Sequence, residues 1–493
     1  AGKPAAAAHA FGVTRLGDLG LFAAAGAAFA ATGSLSYTSL AGLDGGWLHV
    51  FVAGVVLAAA AKSAQLPFSP WLFSAMEGPT SVSALLHAAT MVAAGAYALV
   101  RLHPVLDRAA WFGPVVIGIG LTTALVGGVV AALQTHAKKL LAASTSAQYG
   151  LMFVAAGAGY PAAALAHLTT HAALKAGLFM AAGVAIEASG HPQLARMGLG
   201  AALRVAAAAS AVAALALAAG PPLGAAWTKE EIVAAAGHRA AWLAVATAVA
   251  GGLSAWYATR FQLLAFGPAQ GDGPAVQRRP TMVEQAALCT AAAASVGFGL
   301  LWWPGGDRVV AGVAGVVPTV ATWETALSLA VVALAVYGAV SAFRSGAWAE
   351  TAVDGRRAVV AEWFGIPVLA RVAIVDPTLA LASALGRFDH AVLDAPPRAV
   401  AALGSRLSVR LAGFDDRVVD AGVRATAAAA RRLGDIGAGI TEPGVSGAVG
   451  RLAGLVGQAG RDTRRLHTGR AHQYYVVVAA GGVVLIALAA VGR

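Results

Sequence analysis

Residues 111–133 read WFGPVVIGIGLTTALVGGVVAAL and contain no charged side chain. A bilayer core of about 30 Å is crossed by roughly 20 mostly apolar residues in helical form. Because a backbone in lipid must satisfy its own hydrogen bonds, a run of this length is expected to be a transmembrane helix. Its five glycines, among them those at 118, 120, 127 and 128, are typical of helices that pack closely on one another.

Runs of the same kind recur along the whole chain, and the alternation expected of a membrane barrel strand is absent from them. They predict an all-α, polytopic transmembrane helix bundle. The eleven candidate spans lie near residues 18–36, 46–66, 80–102, 111–133, 137–158, 162–188, 203–220, 241–266, 283–303, 321–343 and 473–492.

The composition supports this interpretation. The 493 residues are 58% hydrophobic and 12% charged, with a mean hydropathy of +0.72, whereas soluble domains carry about 25% charged residues. Disorder is excluded, and a water-soluble enzyme is disfavoured. The net charge of +11 does not indicate nucleic acid binding, because 18 of the 28 arginines lie from Arg344 onward. The single cysteine, Cys289, leaves no disulfide or cysteine-based metal site to predict.

The region from residue 344 to residue 472 has a different pattern of charged and apolar residues. Charges occur every few residues, yet apolar side chains recur at steps of three and four, as at Leu403, Leu407 and Leu411. This spacing predicts an amphipathic helix that lies along a surface, interrupted near Pro396-Pro397 and Glu442-Pro443-Gly444. We therefore predict three parts: a transmembrane bundle over residues 1–343, a lateral amphipathic segment over 344–472 and a terminal transmembrane anchor over 473–493.

Five of the six lysines lie in or at the ends of apolar runs: Lys62, Lys138, Lys139, Lys175 and Lys229. Ionisable groups at membrane depth are costly and by default mark an ion pathway. Lysine suits this role better than arginine, because a buried lysine can become neutral. The alternative for each is a side chain that extends to the membrane interface.

His167, His171 and Lys175 stand at i, i+4 and i+8, which places them on one face of a helix over about 12 Å. Three titratable groups in a line can pass a proton along, and histidine titrates near neutral pH. The alternative is a pair of hydrogen-bonded core histidines. A metal site is disfavoured, because Lys175 shares the row.

Two spans are predicted to be broken, one within residues 62–67 (KSAQLP) and one at residues 220–224 (GPPLG). Discontinuous helices that bring ionisable groups into the membrane are typical of transporters. Next to the second break, Glu230 and Glu231 offer a carboxylate to Lys229.

Two more polar groups stand at or inside spans. Asp18, at the start of the first apolar run, is a second possible partner for Lys229. His87 is an isolated polar group inside a span, with a packed core histidine as the alternative.

Six segments in order resemble the antiporter-like membrane subunits of respiratory complex I. The distal member of that set (the L, or chain 5, type) is the most similar, because a lateral segment precedes the last span. The resemblance covers essentially the whole chain and lies in residues 62–67, 71–80, 83–91, 138–148, 167–175 and 221–232.

The resemblance implies a proton-translocating role for a set of polar side chains: Asp18, Lys62, His87, Lys138, His167, His171, Lys175, Lys229 and Glu230. Lys62 corresponds to the input lysine and Lys229 to the output lysine. Glu230 stands where the family has aspartate, which keeps the charge. His136 replaces an acidic residue before the paired lysines, which changes the local charge balance.

The family has several helices before the Asp18 motif, one of which carries a glutamate that pairs with the lysine equivalent to Lys62. The chain is therefore expected to lack the first transmembrane helices, and Lys62 to be a buried cation without its partner. We expect that the chain alone does not conduct protons through a complete input channel, which lysine-dependent flux in proteoliposomes would contradict.

The expected function is proton translocation along a lysine and histidine axis, coupled to quinone reduction in other subunits of an NADH-quinone oxidoreductase. No cofactor is expected in this chain; NADH, flavin, iron-sulfur clusters and quinone belong to partner subunits. The expected partners are other membrane-arm subunits and the lipid bilayer, in a bacterial plasma membrane. The alternatives are a subunit of a cation/proton antiporter or bicarbonate-uptake complex, and a structural brace that no longer pumps.

Overall fold

The computed structural model is helical throughout the part of the chain that it describes, and contains no strand there beyond an isolated bridge between His136 and Gln193. This confirms the predicted all-α membrane bundle. The described residues are 2–268, 275–301, 312, 315–348, 355–438, 443–466 and 478–487.

Among the described residues, the bundle contains thirteen helices that we number in chain order. They are α1 (Gly2–Thr32), α2 (Gly45–Lys62), α3 (Trp71–Ala75), α4 (Thr80–Ala88), α5 (Ala93–Leu106), α6 (Phe112–Leu133), α7 (Ala137–Gly157), α8 (Pro161–Ser189), α9 (Arg204–Leu217), α10 (Gly224–Gly237), α11 (Ala241–Phe266), α12 (Met282–Leu301) and α13 (Thr322–Arg344).

Within the described residues, nine helical stretches are long and apolar enough to cross a membrane, and eight of them coincide with predicted spans. The ninth, Trp363–Gly437, has 75 residues, several times what one crossing needs. The predicted span at 137–158 is the more polar α7. The one at 203–220 is the short α9, and the last one is described only over Val478–Ala487, which is helical.

Both predicted breaks are present. The first separates α2, which ends at Lys62, from α3, which begins at Trp71. The second separates α9, which ends at Leu217, from α10, which begins at Gly224. Proline lacks a backbone N–H and cannot continue a helical hydrogen-bond ladder, so Pro67 and Pro221-Pro222 each end a helix inside the bundle.

Helix α7 forms the centre of the bundle, and all its residues except Lys139 are buried. It packs on α6 through a pair of glycines: a Cβ at Gly120 would lie 2.5 Å from the carbonyl oxygen of Gly150, and the reverse distance is also 2.5 Å. Backbones this close leave no room for a side chain. The glycine-rich run 111–133 therefore packs as its sequence predicted.

The chain divides into two compact units, one up to Asp376 and one from Pro377 onward. The first unit contains the bundle and, near its end, two short helices, α14 (Gly355–Ala361) and α15 (Ile366–Ala370). The division into 1–343, 344–472 and 473–493 stays a prediction.

The helices that follow carry the predicted amphipathic pattern. Leu403, Leu407 and Leu411 are all more than half exposed. The proline pair 396–397 lies in the first turn of a helix, where proline is tolerated, and a π-helical turn precedes it. These helices are α16 (Asp376–Phe388), α17 (Ala395–Phe414), α18 (Asp420–Ala438) and α19 (Pro443–Leu466).

Candidate functional site

The first break holds an ion pair. Lys62 Nζ lies 2.8 Å from Asp18 Oδ1, and Arg15 lies 3.1 Å from the other carboxylate oxygen. The expectation that Lys62 is a cation without a partner is therefore wrong. So is the assignment of Asp18 to Lys229, because Asp18 pairs with Lys62. The lysine side chain is 29% exposed and that of Asp18 16%, so the pair is only partly removed from solvent.

Small residues bring α1 close enough for this pair to form. Gly17 lies against Ala61, and Gly20 lies against Gly54. Because glycine has no Cβ, the two helices touch along their backbones one turn from the break. The Asp18 carboxylate, next to Gly17, then reaches the ammonium group at the end of α2.

His87 lies on α4 and packs on Trp71. It is 3% exposed, and its ring centroid lies 5.8 Å from that of Trp71. The Trp71 indole N–H donates to the Ala61 carbonyl across the break, at 2.9 Å. His87 Nδ1 has no hydrogen-bond partner among the described residues. It is thus a buried polar group that packs on Trp71, and its role in proton transfer stays a prediction.

The two lysines at the start of α7 make local contacts. Lys138 Nζ donates to the carbonyls of Met76 and Gly78, at 2.7 and 2.6 Å, and so holds the chain after α3. Lys139 pairs with Glu362 at 2.8 Å. These bonds favour a structural role for Lys138, and its predicted proton role stays a prediction.

His136 caps α7, because its Nδ1 accepts a hydrogen bond from the Lys138 backbone N–H at 3.1 Å. Burial lowers the pKa of His136 to about 4, and the Lys139 and Lys138 charges act in the same direction. The neutral ring thus accepts from an otherwise unpaired N–H at a helix start, as a capping side chain does.

The histidine and lysine row on α8 is fully buried, since His167, His171 and Lys175 are each 0% exposed. The His167 and His171 rings have centroids 6.1 Å apart. Lys175 Nζ donates to Ser144 Oγ on α7, at 2.5 Å. His171 has no hydrogen-bond partner on either ring nitrogen among the described residues. The spacing i, i+4, i+8 therefore does place the three groups on one inward face.

His167 is held on both sides. Its Nε2 lies 3.0 Å from Gln148 Oε1, and its Nδ1 lies 2.8 Å from Thr228 Oγ1 on α10. An amide oxygen can only accept, so Nε2 carries the hydrogen. In the neutral ring, Nδ1 then accepts from the Thr228 hydroxyl.

Lys229 follows the second break and is 5% exposed. Its Nζ donates to the Leu217 carbonyl at the end of α9 and to Ser254 Oγ on α11, each at 2.5 Å. The Glu230 carboxylate instead accepts from the Thr325 hydroxyl on α13. Neutral oxygens therefore hold the Lys229 ammonium, and Glu230, which the sequence placed beside it, points to another helix.

A cavity of about 210 Å³ lies beside Lys229. Thr247 lines it, is 1% exposed, and has no hydrogen-bond partner for its hydroxyl among the described residues. Glu230 and Thr325 line it as well. A cavity of this size with several polar groups can hold water.

Sequence reasoning missed the hydroxyl and amide groups that connect the row: Ser144, Gln148, Thr228, Ser254 and Tyr257. Polar residues inside apolar runs were the available signal. Nothing in their spacing shows which lysine each one contacts, because those contacts cross between helices.

Taken together, the helices and the buried axis define a class: a multi-pass membrane protein with two broken helices and an internal row of lysines and histidines. Residues 2–254 match the model of one family, described as the membrane part of the NADH:quinone oxidoreductase and Mrp antiporter proteins. The chain belongs to this family, and its predicted multi-pass membrane location is confirmed.

Named relatives point in the same direction. The chain is 33% identical, over 98% of its length and 72% of the relative's, to NADH-quinone oxidoreductase subunit L of Mycobacterium tuberculosis. It is 39% identical, over 52% of its length and 43% of the relative's, to NADH-ubiquinone oxidoreductase chain 5 of Balaenoptera physalus. The resemblance read from the motifs is therefore confirmed.

Two solved structures share the fold. A chain of the Mrp complex from Dietzia matches at a TM-score of 0.60 and 25% identity, over 89% of this chain and 47% of the other. A chain of respiratory complex I from Thermus thermophilus matches at 0.56 and 23% identity, over 68% of this chain and 70% of the other. The chain thus spans about half the length of the Mrp chain it matches.

Proposed function

We propose that this chain is a proton-translocating membrane subunit of an NADH-quinone oxidoreductase. It moves protons along the axis from Lys62 through Lys175 to Lys229, and quinone reduction in other subunits drives the movement. The observation that carries this proposal is the pair of buried lysines, Lys175 and Lys229, whose amino groups contact hydroxyl oxygens.

A proton carrier must be stable in two protonation states. Burial penalises an ammonium group relative to a neutral amine, and a hydroxyl partner serves both forms, because it can accept from the first and donate to the second. Ser144 at Lys175 and Ser254 at Lys229 are partners of this kind. A carboxylate partner, such as Asp18 at Lys62, favours the charged form instead.

Charge at one site biases the next. Two like charges interact strongly where little water screens them, so a proton that arrives on Lys175 favours loss of the proton from Lys229. Such coupled sites titrate as a group. Quinone chemistry at a distance can then act by changing the charge at one end of the axis.

The partners in this proposal are the other membrane-arm subunits. The amphipathic helices α17 and α18 present exposed apolar side chains, among them Leu403 and Val423. A solvated helix does not retain such a face without a cover. Neighbouring membrane-arm subunits and lipid are the surfaces that the proposal assigns to it.

The test is Lys229→Ala in the assembled complex, reconstituted in proteoliposomes. We expect NADH-driven proton uptake per quinone reduced to fall, while the level of assembled complex is unchanged. Lys3→Ala is the matched control, because Lys3 is exposed at the start of α1. Unaltered pumping with normal assembly would refute the role of Lys229 and favour a structural brace.

A second candidate is a subunit of a cation/proton antiporter. The match to the Mrp complex over 89% of this chain favours it. Sodium-dependent proton flux without NADH or quinone, lost on Lys229→Ala, would select the antiporter.

A further inference from the structure

A continuous series of polar side chains connects Lys175 to Lys229 across four helices. Lys175 Nζ lies 2.5 Å from Ser144 Oγ, and Lys229 Nζ lies 2.5 Å from Ser254 Oγ. The Tyr257 hydroxyl lies 2.8 Å from Nε2 of Gln148, which is one helical turn from Ser144 on α7, and it is close enough to the hydroxyls of both serines to interact with them. Tyr257, Ser144 and Ser254 are each 0% exposed. The series therefore lies wholly inside the bundle.

Helix α11 supplies the two central members. Ser254 and Tyr257 are three residues apart and share one face of that helix. Close packing of α11 on α6 helps to hold this face inward, since a Cβ at Gly128 would lie 3.0 Å from the Leu253 side chain.

We propose that the Tyr257 hydroxyl carries protons between Lys175 and Lys229, by way of Ser144 and Ser254. This inference rests on the proposed function and names a route within it. The route does not use His167, and it makes Tyr257 a catalytic residue, because its hydroxyl exchanges the transported proton.

The transfer balances at each atom. The Lys175 ammonium gives a proton to Ser144 Oγ, whose own proton passes to the Tyr257 oxygen. Tyr257 gives its original proton to Ser254 Oγ, and Ser254 gives its own to the neutral amine of Lys229. Each hydroxyl forms one O–H bond and breaks one. One positive charge thus moves from Lys175 to Lys229, and the hydroxyls then rotate back to reset the series.

Gln148 orients the phenol. Its Nε2 donates to the Tyr257 oxygen at 2.8 Å, while its Oε1 accepts from His167 at 3.0 Å. Because the amide N–H already occupies one side of the phenol oxygen, the phenol O–H can donate to the serine oxygens. Gln148 is therefore a positioning residue, and His167, with both nitrogens engaged, holds Gln148 in place.

The first test is Tyr257→Phe in the assembled complex, measured as NADH-driven proton uptake per quinone reduced. We expect pumping to fall by at least about ten-fold, since a proton-transfer group contributes roughly 10²–10⁴-fold. Tyr149→Phe is the matched control: Tyr149 is also 0% exposed, and its hydroxyl is 3.4 Å from the Ala88 carbonyl, away from the series. We expect this control to pump like the wild type.

A second variant separates proton transfer from packing. Replacement of Tyr257 by 3-fluorotyrosine keeps the ring and the hydroxyl but makes the phenol more acidic. If Tyr257 carries the proton, the pumping rate changes at an unchanged level of assembled complex. If the residue only fills space, the rate does not move. This variant and Ser254→Ala decide the matter if Tyr257→Phe fails to assemble.

The outcomes distinguish the two proposals. Wild-type pumping in Tyr257→Phe, with pumping lost in Lys229→Ala, overturns the hydroxyl route alone. Loss in His167→Ala with none in Tyr257→Phe assigns the transfer to the histidine row instead. Wild-type pumping in both Tyr257→Phe and Lys229→Ala overturns the proposed function itself.

Discussion

The two broken helices stabilise a lysine by different means. At the first break, Lys62 pairs with the Asp18 carboxylate at 2.8 Å and keeps 29% of its side chain exposed. At the second, Lys229 is 5% exposed and is held by the Leu217 carbonyl and the Ser254 hydroxyl. The first break thus gives its lysine a partner of opposite charge, and the second gives its lysine neutral oxygen partners.

This difference has a consequence for proton movement. A carboxylate stabilises only the ammonium form, whereas a hydroxyl can also donate to the neutral amine. The partly exposed pair at Lys62 suits a place where protons enter from water. The buried amine at Lys229 suits transfer within the bundle.

The largest expected effect comes from displacing the helix that contacts both the first break and the buried lysine and histidine row. Helix α7 supplies Ser146, whose hydroxyl donates to the Ala64 carbonyl at the first break, and Ser144, which contacts Lys175. Gly120→Val would push α7 away from α6 at their closest contact. Such overpacking destabilises by about 1–3 kcal/mol and sometimes more. We expect loss of assembled complex, measured by native gel electrophoresis.

Gly118→Val is the matched control for this prediction. It lies on the same helix, and a Cβ there would meet nothing within 4 Å. Assembly should therefore stay near the wild-type level. Equal loss in both variants would show that glycine content, rather than the contact at Gly120, matters for this helix.

The next effect is specific to the first break. Asp18→Asn leaves the Lys62 ammonium without its opposite charge, so we expect most NADH-driven pumping to be lost. Since a partly exposed ion pair contributes at most about 1 kcal/mol, thermal stability should change little. Asp18→Glu should restore much of the pumping. Asp44→Asn, a control at the start of α2 without a side-chain cap bond, should have no effect.

If Asp18→Asn pumps like the wild type, the ion pair is structural. The difference between the two breaks then says nothing about where protons enter. If thermal stability and pumping fall together, the pair instead holds α1 on α2. Only a selective loss of pumping supports proton entry at Lys62.

The sequence predicts the fold better than the site, for a physical reason. Span length and the breaks at Pro67 and Pro221 depend on local rules, so each predicted run corresponds to helical structure in the described residues. The row on α8 was also predictable, because i, i+4 spacing fixes one face. The partners of the lysines were not predictable. Lys62 pairs with Asp18, 44 positions away, and Glu230, which was expected to partner its neighbour Lys229, accepts from Thr325 instead.

The same limit applies to Tyr257 and Ser254. Their contacts with Lys229 and Ser144 cross between helices, and no spacing rule within one helix reports them. The replacement at His136 shows the converse case. The change of residue type indicated an altered charge balance at that position, while the structure shows that the His136 ring caps α7.

A moderate effect is expected from Thr228→Val at the second break. This change removes the hydroxyl that lies 2.8 Å from His167 Nδ1 and leaves a buried acceptor unpaired. The cost is about 1–3 kcal/mol, measurable as a lower midpoint of thermal unfolding. The fractional loss of pumping should be smaller than in Tyr257→Phe, because the proposed route makes His167 a positioning residue and not a carrier of the proton.

Thr169→Val is its control, since the Thr169 hydroxyl is exposed and bonds only to carbonyls of its own helix. A greater loss of pumping in Thr228→Val than in Tyr257→Phe would contradict the hydroxyl route. It would assign the proton transfer to the histidine row instead.

The smallest effect is expected at His136, which caps the start of α7, and it concerns the pH dependence of thermal stability. The pKa of His136 is about 4, below its ordinary 6.5. Between these values the unfolded chain binds a proton that the folded chain does not, so the stabilisation is complete above about pH 6.5 and is lost as pH falls toward 4. His136→Asp should flatten this dependence, because a carboxylate cap stays ionised. Thermal unfolding at pH 7.5 and pH 5 measures it, with the exposed His191→Asp as control. An equally steep acid loss in His136→Asp would place the sensitive group elsewhere.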